Sequence, residues 1–158
     1  MDYNGGMDDP PPRRKGIRLS RAAYNFRGSV VSITLCARDR KPCFRDDILC
    51  DKVICMLKQT MTSYGMGLMA YCLMPDHLHM IIHNQEGRDI VHAVRNFKAI
   101  TFRIRGEPLW QRSFYDHFIL AIEDLNAAIA YVLGNPVRKG LVPDRHSYPW
   151  AYPKSNGK

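Results

Sequence analysis

The 158-residue sequence lacks several features that would assign it to a common class of protein. It has no apolar run close to the about 20 residues that a membrane span requires, and it shows no internal repeat. Its five cysteines are odd in number and none forms a Cys-x-x-Cys pair, so neither a disulfide framework nor a thiolate zinc site is supported. We therefore expect a reduced, cytoplasmic protein without a membrane partner.

Acidic residues are also few, since 15 Asp and Glu stand against 23 Lys and Arg. The formal net charge is +8 and the isoelectric point is near 9.4. Such a balance favours a polyanionic partner, because each phosphate that pairs with Lys or Arg releases condensed counterions. Nucleic acid is the leading candidate, although many small proteins are basic for solubility alone.

The chain divides into three predicted segments. Residues 1–16 contain three prolines followed by three basic residues and no apolar stretch that could act as a secretory signal, which predicts a disordered tail. Residues 17–153 are long enough to bury a core and are predicted to form a single domain. Residues 154–158 are predicted to be a flexible C terminus.

Hydrophobic periodicity predicts a β-α-β-β-α-β pattern followed by one more helix. This order is typical of a ferredoxin-like α+β fold, in which an antiparallel sheet has its helices packed on one face. The last helix is predicted to stop at Gly134-Asn135-Pro136. The predicted elements are a strand at 29–36, a helix at 46–65, a hairpin at 66–82, a helix at 88–105, a strand within 110–122 and a helix from 123.

The most prominent candidate functional residues are His77 and His79, which lie in the predicted hairpin on either side of Leu78. On an extended strand two such histidines point to the same face, with a rise of about 6.6 Å between them. This spacing suits two ligands of one divalent metal ion. A pair of surface histidines on a half-buried strand gives the same pattern, so His-x-His alone does not assign a metal site.

A second candidate pair, Tyr131 and Asn135, lies near the predicted end of the last helix. Positions i and i+4 share one helical face, so a phenol and a carboxamide could address one point. Pro136 disfavours the helical conformation at Asn135, so ideal i, i+4 geometry between Tyr131 and Asn135 is not assured by the sequence. Tyr131 alone also fits an ordinary residue at the edge of a core.

Three motifs occur in an order that resembles a known family. They are Met74-Pro-Asp-His-Leu-His-Met-Ile-Ile82, Trp110-Gln111 with Phe114-Tyr-Asp-His117, and Tyr131-Val-Leu-Gly-Asn-Pro-Val-Arg-Lys-Gly-Leu-Val142. Together they resemble the single-tyrosine HUH transposases, and most of all the REP-associated tyrosine transposases, in which a Tyr-Pro segment such as Tyr148-Pro149 follows. The resemblance covers residues 17–153.

The resemblance implies a role for each motif residue. His77 and His79 would be ligands of a divalent ion, magnesium or manganese, and Asn135 would be the third ligand. Tyr131 would be the nucleophile, whereas Tyr115 lies outside the Tyr-x-x-x-Asn pattern. Many insertion-sequence relatives place glutamine at the third ligand position, so the shorter Asn135 is a departure from them. His117 would line the site or be structural.

The implied activity is metal-dependent cleavage and rejoining of single-stranded or hairpin DNA through a 5′-phosphotyrosine, by a monomer or a homodimer. A phenol is a weak nucleophile at neutral pH, so such a site must orient it and stabilise the charge that develops on phosphorus. The candidates for phosphate contacts are Arg95, Lys98, Arg138 and Lys139. Arg95 and Lys98 share a charged helix face, which is also what a solvated face would show.

Two other functions fit parts of the sequence. One is a non-catalytic nucleic-acid-binding module on the same fold. The other is a zinc hydrolase that uses His77 and His79 with His83 or His117. His83 lies four strand residues past His79, at about 13 Å, and therefore fits a single metal ion poorly.

Overall fold

The computed structural model describes residues 21–154, so the predicted tail at 1–16 and nearly all of the predicted C-terminal segment lie outside the described residues. The described chain forms an antiparallel five-stranded sheet in the order β4-β1-β3-β2-β5. Its strands are β1 (Val30–Cys36), β2 (Met66–Met74), β3 (His77–Asn84), β4 (Tyr115–Phe118) and β5 (Ala151–Tyr152). Its α-helices are α1 (Arg21–Tyr24), α2 (Asp47–Ser63), α3 (Ile90–Arg105) and α4 (Ile122–Arg138).

The sheet separates two hydrophobic cores. On one face, strand residues such as Ile33 and Met80 are buried against α2 and α3, which contribute Leu57 and Phe97. The other face packs against α4. Its core contains Ala70, Cys72, Met74 and Ile81 from the strands, Val132 and Leu133 from α4, and Tyr148 from the C-terminal segment.

The predicted α+β class with an antiparallel sheet is confirmed, but the packing of all helices on one face is wrong. Neighbouring residues of a strand point to opposite faces, and in β2 both sets are apolar. Tyr71 and Leu73 pack toward α2 and α3, whereas Cys72 and Met74 require a cover on the other side. Helix α4 provides that cover.

The helices α2 and α3 each begin next to an aspartate that caps the first turn. Asp46 accepts a hydrogen bond from the backbone N–H of Leu49 at 3.0 Å, and Asp89 accepts from Val91 at 2.9 Å. Each carboxylate satisfies a backbone donor that the first helical turn leaves free. No helix among residues 21–154 is long and apolar enough to cross a membrane.

Helix α4 does not stop at Gly134-Asn135-Pro136, as its sequence suggested, but continues through Pro136 to Arg138. A proline inside a helix removes one backbone hydrogen bond and costs about 3 kcal/mol. Val132, Leu133 and Pro136 are all buried, and a buried Val or Leu contributes about 1.5–3 kcal/mol. The apolar contacts therefore outweigh the loss.

The stop signal of α4 is Gly140. Its φ of +69° lies in the left-handed region, its N–H donates to Val137 at 2.9 Å, and the N–H of Leu141 donates to Pro136 at 2.9 Å. This pair of hydrogen bonds is a Schellman motif, which ends a helix by satisfying its last carbonyl groups.

The side chain of Lys98 ties α3 to the segment that precedes β4. Its Nζ donates to the backbone carbonyls of Gln111 at 2.8 Å and Arg112 at 3.1 Å. Burial lowers the pKa of Lys98 from 10.5 to about 8. The ammonium group predicted to contact phosphate is therefore engaged within the protein.

We expect Gly140→Ala to destabilise the protein by about 1–2 kcal/mol, because a Cβ in the left-handed region is disfavoured. An added Cβ would meet nothing within 4 Å, so the cost comes from the backbone alone. Gly140→Asn is the matched control, since asparagine tolerates this conformation better. Urea unfolding measures both, and an alanine variant as stable as the asparagine variant would contradict the capping role.

We expect Lys98→Met to cost more stability near pH 10.5 than at neutral pH. Folding lowers the pKa of Lys98, so the unfolded chain binds more protons between about pH 8 and 10.5, and wild-type stability rises over that window. The variant lacks this contribution, and other titrating groups cancel in the difference. Urea unfolding of both proteins at the two pH values tests it; a difference independent of pH would be contrary to this account.

Candidate active site at the end of the hairpin

The β2–β3 hairpin places His77 and His79 on the sheet face that α4 covers. His79 is paired with Thr34 of β1 and with Cys72 of β2, and His77 occupies the next equivalent position toward the turn. The two imidazole rings lie 4.6 Å apart between centroids and are nearly perpendicular, at 86°. The hairpin thus brings the two histidines together, as the sequence predicts.

The orientation of His77 is fixed by Asp76. The Nδ1–H of His77 donates to Asp76 Oδ1 at 2.6 Å, and both side chains are buried. Arg40 holds the carboxylate from the other side, with Nη2 3.3 Å from Asp76 Oδ2, and also donates through Nη1 to Cys36 Sγ at 2.9 Å. A carboxylate can only accept, so His77 Nδ1 is the donor of this hydrogen bond and Nε2 is the nitrogen that faces a ligand.

His79 is held by Thr34, whose Oγ1 lies 2.8 Å from His79 Nδ1. Burial lowers the pKa of His79 to about 3, and the neighbouring His77 and the cationic Arg138 and Arg40 act in the same direction. His79 is therefore neutral at pH 7. When Nδ1–H donates to the threonine hydroxyl, Nε2 is the nitrogen available to a ligand.

Helix α4 brings Tyr131 and Asn135 to the two histidines. Asn135 is 2% exposed, and its Nδ2 donates to His77 Nε2 at 3.3 Å. Tyr131 is 44% exposed, and its ring centroid lies 6.2 Å from that of His79. Because the helix continues through Pro136, the i, i+4 geometry persists to Asn135. The roles assigned to these four residues remain predictions.

Of the four predicted phosphate contacts, the structure brings Arg138 to the site and leaves Arg95 and Lys98 away from it. The guanidinium carbon of Arg138 lies 4.0 Å from the centroid of the Tyr131 ring, and Lys139 follows as the C-cap of α4. Arg95 and Lys98 belong to α3, which packs on the opposite face of the sheet. Their contact with DNA stays a prediction.

The other motif residues divide between core and surface. Trp110 is buried, stacks on Phe44 with centroids 4.8 Å apart, and donates to Thr101 Oγ1 at 3.0 Å. Tyr115 pairs with Thr34 across β4 and β1, so its side chain points to the same face as His79. Two strand spacings separate Tyr115 and His79, which is about 10 Å between their backbones.

The donor set fits a divalent cation that accepts nitrogen and oxygen ligands. Among residues 21–154 no three His, Cys, Asp or Glu side chains lie close enough to share a metal ion. A zinc hydrolase with His83 or His117 as third ligand therefore disagrees with this arrangement. Burial raises the pKa of Cys72 to about 12, so that neighbour stays a thiol. Imidazole nitrogens are typical ligands of divalent transition ions, and an amide oxygen also suits magnesium or manganese, so the donor set fits a divalent cation without selecting one.

Sequence reasoning missed three residues that support the site. Asp76 reads only as a turn residue, although an acidic residue directly before His-x-His is a usable signal for an imidazole partner. The backbone that positions Arg40 next to Asp76 has a φ of +57° at Asp39 and +54° at Arg40, a conformation that no local sequence pattern predicts. The alternation of β1 places Thr34 on the correct face, but its pairing with His79 depends on strand register.

Comparison with known proteins agrees with this geometry. The family model described as IS200-like transposase matches residues 26–119. A Haemophilus influenzae protein described as a REP-associated tyrosine transposase is 25% identical over a 141-residue alignment, and the match covers 79% of this chain and 80% of that protein.

Two solved structures share the fold. One is a REP-associated tyrosine transposase bound to a REP hairpin, with a TM-score of 0.71 at 21% identity over 90% of this chain and 92% of that chain. The other is a Deinococcus radiodurans protein described as a transposase, with a TM-score of 0.52 at 19% identity over 75% of this chain and 97% of that one.

The family match includes both histidines and ends before α4, which carries Tyr131. It covers more than half of the chain, and the resemblance to REP-associated tyrosine transposases inferred from the three motifs is confirmed. The chain therefore belongs to the IS200-like transposases, a family of DNA-processing enzymes.

Proposed function

We propose that this protein is a divalent-metal-dependent endonuclease and strand transferase that cleaves single-stranded or hairpin DNA through a 5′-phosphotyrosine on Tyr131. The observation that carries the proposal is the convergence of α4 on the hairpin. Asn135 contacts His77 at 3.3 Å and Tyr131 lies beside His79, so a phenol, an amide and two imidazoles border one small volume. All four side chains come from one chain, so a monomer has a complete set.

Three of these side chains would hold the metal ion. His77 and His79 would contribute their Nε2 atoms, and Asn135 would contribute Oδ1. The hydrogen bonds of the imidazoles with Asp76 and Thr34 support this assignment, because each engages the Nδ1 side of an imidazole and leaves Nε2 for a ligand. When bound, the ion would polarise the scissile phosphate and stabilise the charge that develops on it.

Tyr131 would perform the covalent step. Its phenolic oxygen attacks the phosphorus, the bond between phosphorus and the 3′-oxygen of the preceding nucleotide breaks, and that oxygen takes a proton to leave as a 3′-hydroxyl. The phenol gives up its proton as the new phosphotyrosine bond forms. Because the phosphodiester is conserved in this bond, a second 3′-hydroxyl can attack it and join two strands without ATP.

The surroundings of the site support a DNA strand as substrate. Tyr131 is 44% exposed at the edge of the site, and Arg138 adds positive charge next to it, with Lys139 following as the C-cap of the same helix. On the same sheet face, β4 carries the half-buried Tyr115 and the exposed His117, which could stack on unpaired bases. The similar structure bound to a REP hairpin supports a hairpin as the form to test.

The proposal predicts a covalent protein–DNA adduct when hairpin DNA is incubated with the protein and Mn²⁺. The adduct should form with wild type and with Tyr115→Phe, and should vanish with Tyr131→Phe. His77→Ala should reduce it by about 100-fold or more, because the charge on phosphorus then loses its stabilisation. A denaturing gel with DNA labelled at the 3′ end shows the adduct, whereas a label at the 5′ end should leave on the released strand.

The same gel discriminates the alternatives. DNA binding without an adduct in any divalent metal would indicate a non-catalytic binding module on this fold. Cleavage that persists in Tyr131→Phe would indicate hydrolysis by water. An adduct that disappears with Tyr115→Phe and persists with Tyr131→Phe would move the nucleophile to β4.

A further inference from the structure

The side-chain amide of Asn135 is oriented with its NH₂ group toward the histidines. Nδ2 donates to His77 Nε2 at 3.3 Å, and Oδ1 accepts from Arg138 Nη2 at 3.3 Å. Asp76 holds the proton on His77 Nδ1, so His77 Nε2 accepts from the amide. An amide hydrogen thus occupies the direction from which a cation would approach His77 Nε2.

A cation shared by His77 and Asn135 requires this amide to turn over, because only Oδ1 carries lone pairs for a ligand bond. After the turn, Nδ2 would face Arg138 Nη2, and two donors cannot hydrogen-bond to each other. The guanidinium would then have to leave its present position. Metal and Arg138 therefore compete for one oxygen atom.

Arg138 also holds the nucleophile candidate. Its Nη2 donates to the backbone carbonyl of Tyr131 at 2.7 Å, and its guanidinium carbon lies 4.0 Å from the Tyr131 ring centroid, within cation–π distance. Release of Arg138 by the amide turn would also uncover one face of the Tyr131 ring. The freed guanidinium would then be available to a phosphate group.

The bare backbone at Gly134 provides the space in which Arg138 lies. A Cβ built on Gly134 would approach Arg138 Nη1 to 2.8 Å, closer than real contacts allow. Glycine inside a helix costs about 0.5–1 kcal/mol relative to alanine. Glycine at position 134 therefore lowers the stability of the helix but leaves space for the Arg138 guanidinium.

We propose that Arg138 is a positioning residue that couples metal binding to the release of Tyr131. It holds Asn135 Oδ1 and the Tyr131 ring together through the contacts described above, and it gives up both contacts when a divalent cation takes Asn135 Oδ1. This inference rests on the proposed metal ligands His77, His79 and Asn135. It predicts that loss of the Arg138 contacts tightens metal binding, which a purely structural role or a DNA-contact role would not do.

The test is a titration of the DNA-free protein with Mn²⁺, in which electron paramagnetic resonance measures the free ion. Arg138→Met and Gly134→Ala should each bind Mn²⁺ about threefold to tenfold more tightly than wild type, the range that corresponds to the removal of one ordinary competing hydrogen bond. Gly134→Ala keeps every charge and displaces the guanidinium. Lys139→Met is the control, because it removes the same charge and keeps the Arg138 contacts, so it should change affinity less than Arg138→Met.

His77→Ala separates failure of this inference from failure of the proposed function. If wild type and His77→Ala bind Mn²⁺ equally, or neither binds, the metal site itself is wrong and the coupling fails with it. If binding depends on His77 but Arg138→Met and Gly134→Ala leave the affinity unchanged or weaken it, the metal site stands and the role of Arg138 is overturned. An equal gain in Arg138→Met and Lys139→Met, with none in Gly134→Ala, would reduce the effect to net charge and also overturn it.

Discussion

The packing of α4 on the second face of the sheet is the contact on which the site depends. Val132 and Leu133 are buried against strand residues, and each contributes about 1.5–3 kcal/mol, whereas a polar pair on a helix surface contributes about 0.2–0.5 kcal/mol. The apolar residues therefore set the rotation of the helix. That rotation places Asn135 inward at His77 and leaves Tyr131 at the edge, beside His79 and accessible to a substrate.

The hairpin supplies a rigid counterpart to this helix. His77 and His79 lie on a central strand, and each is held at Nδ1, by Asp76 and Thr34. Arg40 lies outside the sheet, in a backbone segment with positive φ, and its ion pair with Asp76 holds that carboxylate in place. A site with imidazoles fixed from behind loses little entropy when it binds a ligand, because the rings are already in position.

The sequence predicted those parts of the structure that depend on local patterns. Alternation in β1, the helical periodicity of α2 and α3, and the His-x-His spacing each arise within a few residues, and the structure confirms the elements they predict. The predicted end of α4 was wrong because the helix-stop signal at Pro136 competes with the burial of apolar side chains. That burial depends on the sheet against which the helix packs. Arg40 and Thr34 could not be assigned, since their contacts with Asp76 and His79 depend on strand register and on an unusual backbone. The family was inferred from the order of the three motifs, because local secondary-structure patterns do not identify a family.

The most direct test of this account locates the covalent bond by mass spectrometry. Trypsin is expected to release residues 113–138 as one peptide, which carries both Tyr115 and Tyr131. After reaction with hairpin DNA in Mn²⁺ and nuclease trimming, fragmentation of this peptide should place a nucleotide on Tyr131, joined through its 5′-phosphate. A nucleotide on Tyr115, or a peptide that stays unmodified while the DNA is cut, would contradict the convergence of α4 and the hairpin as the catalytic centre.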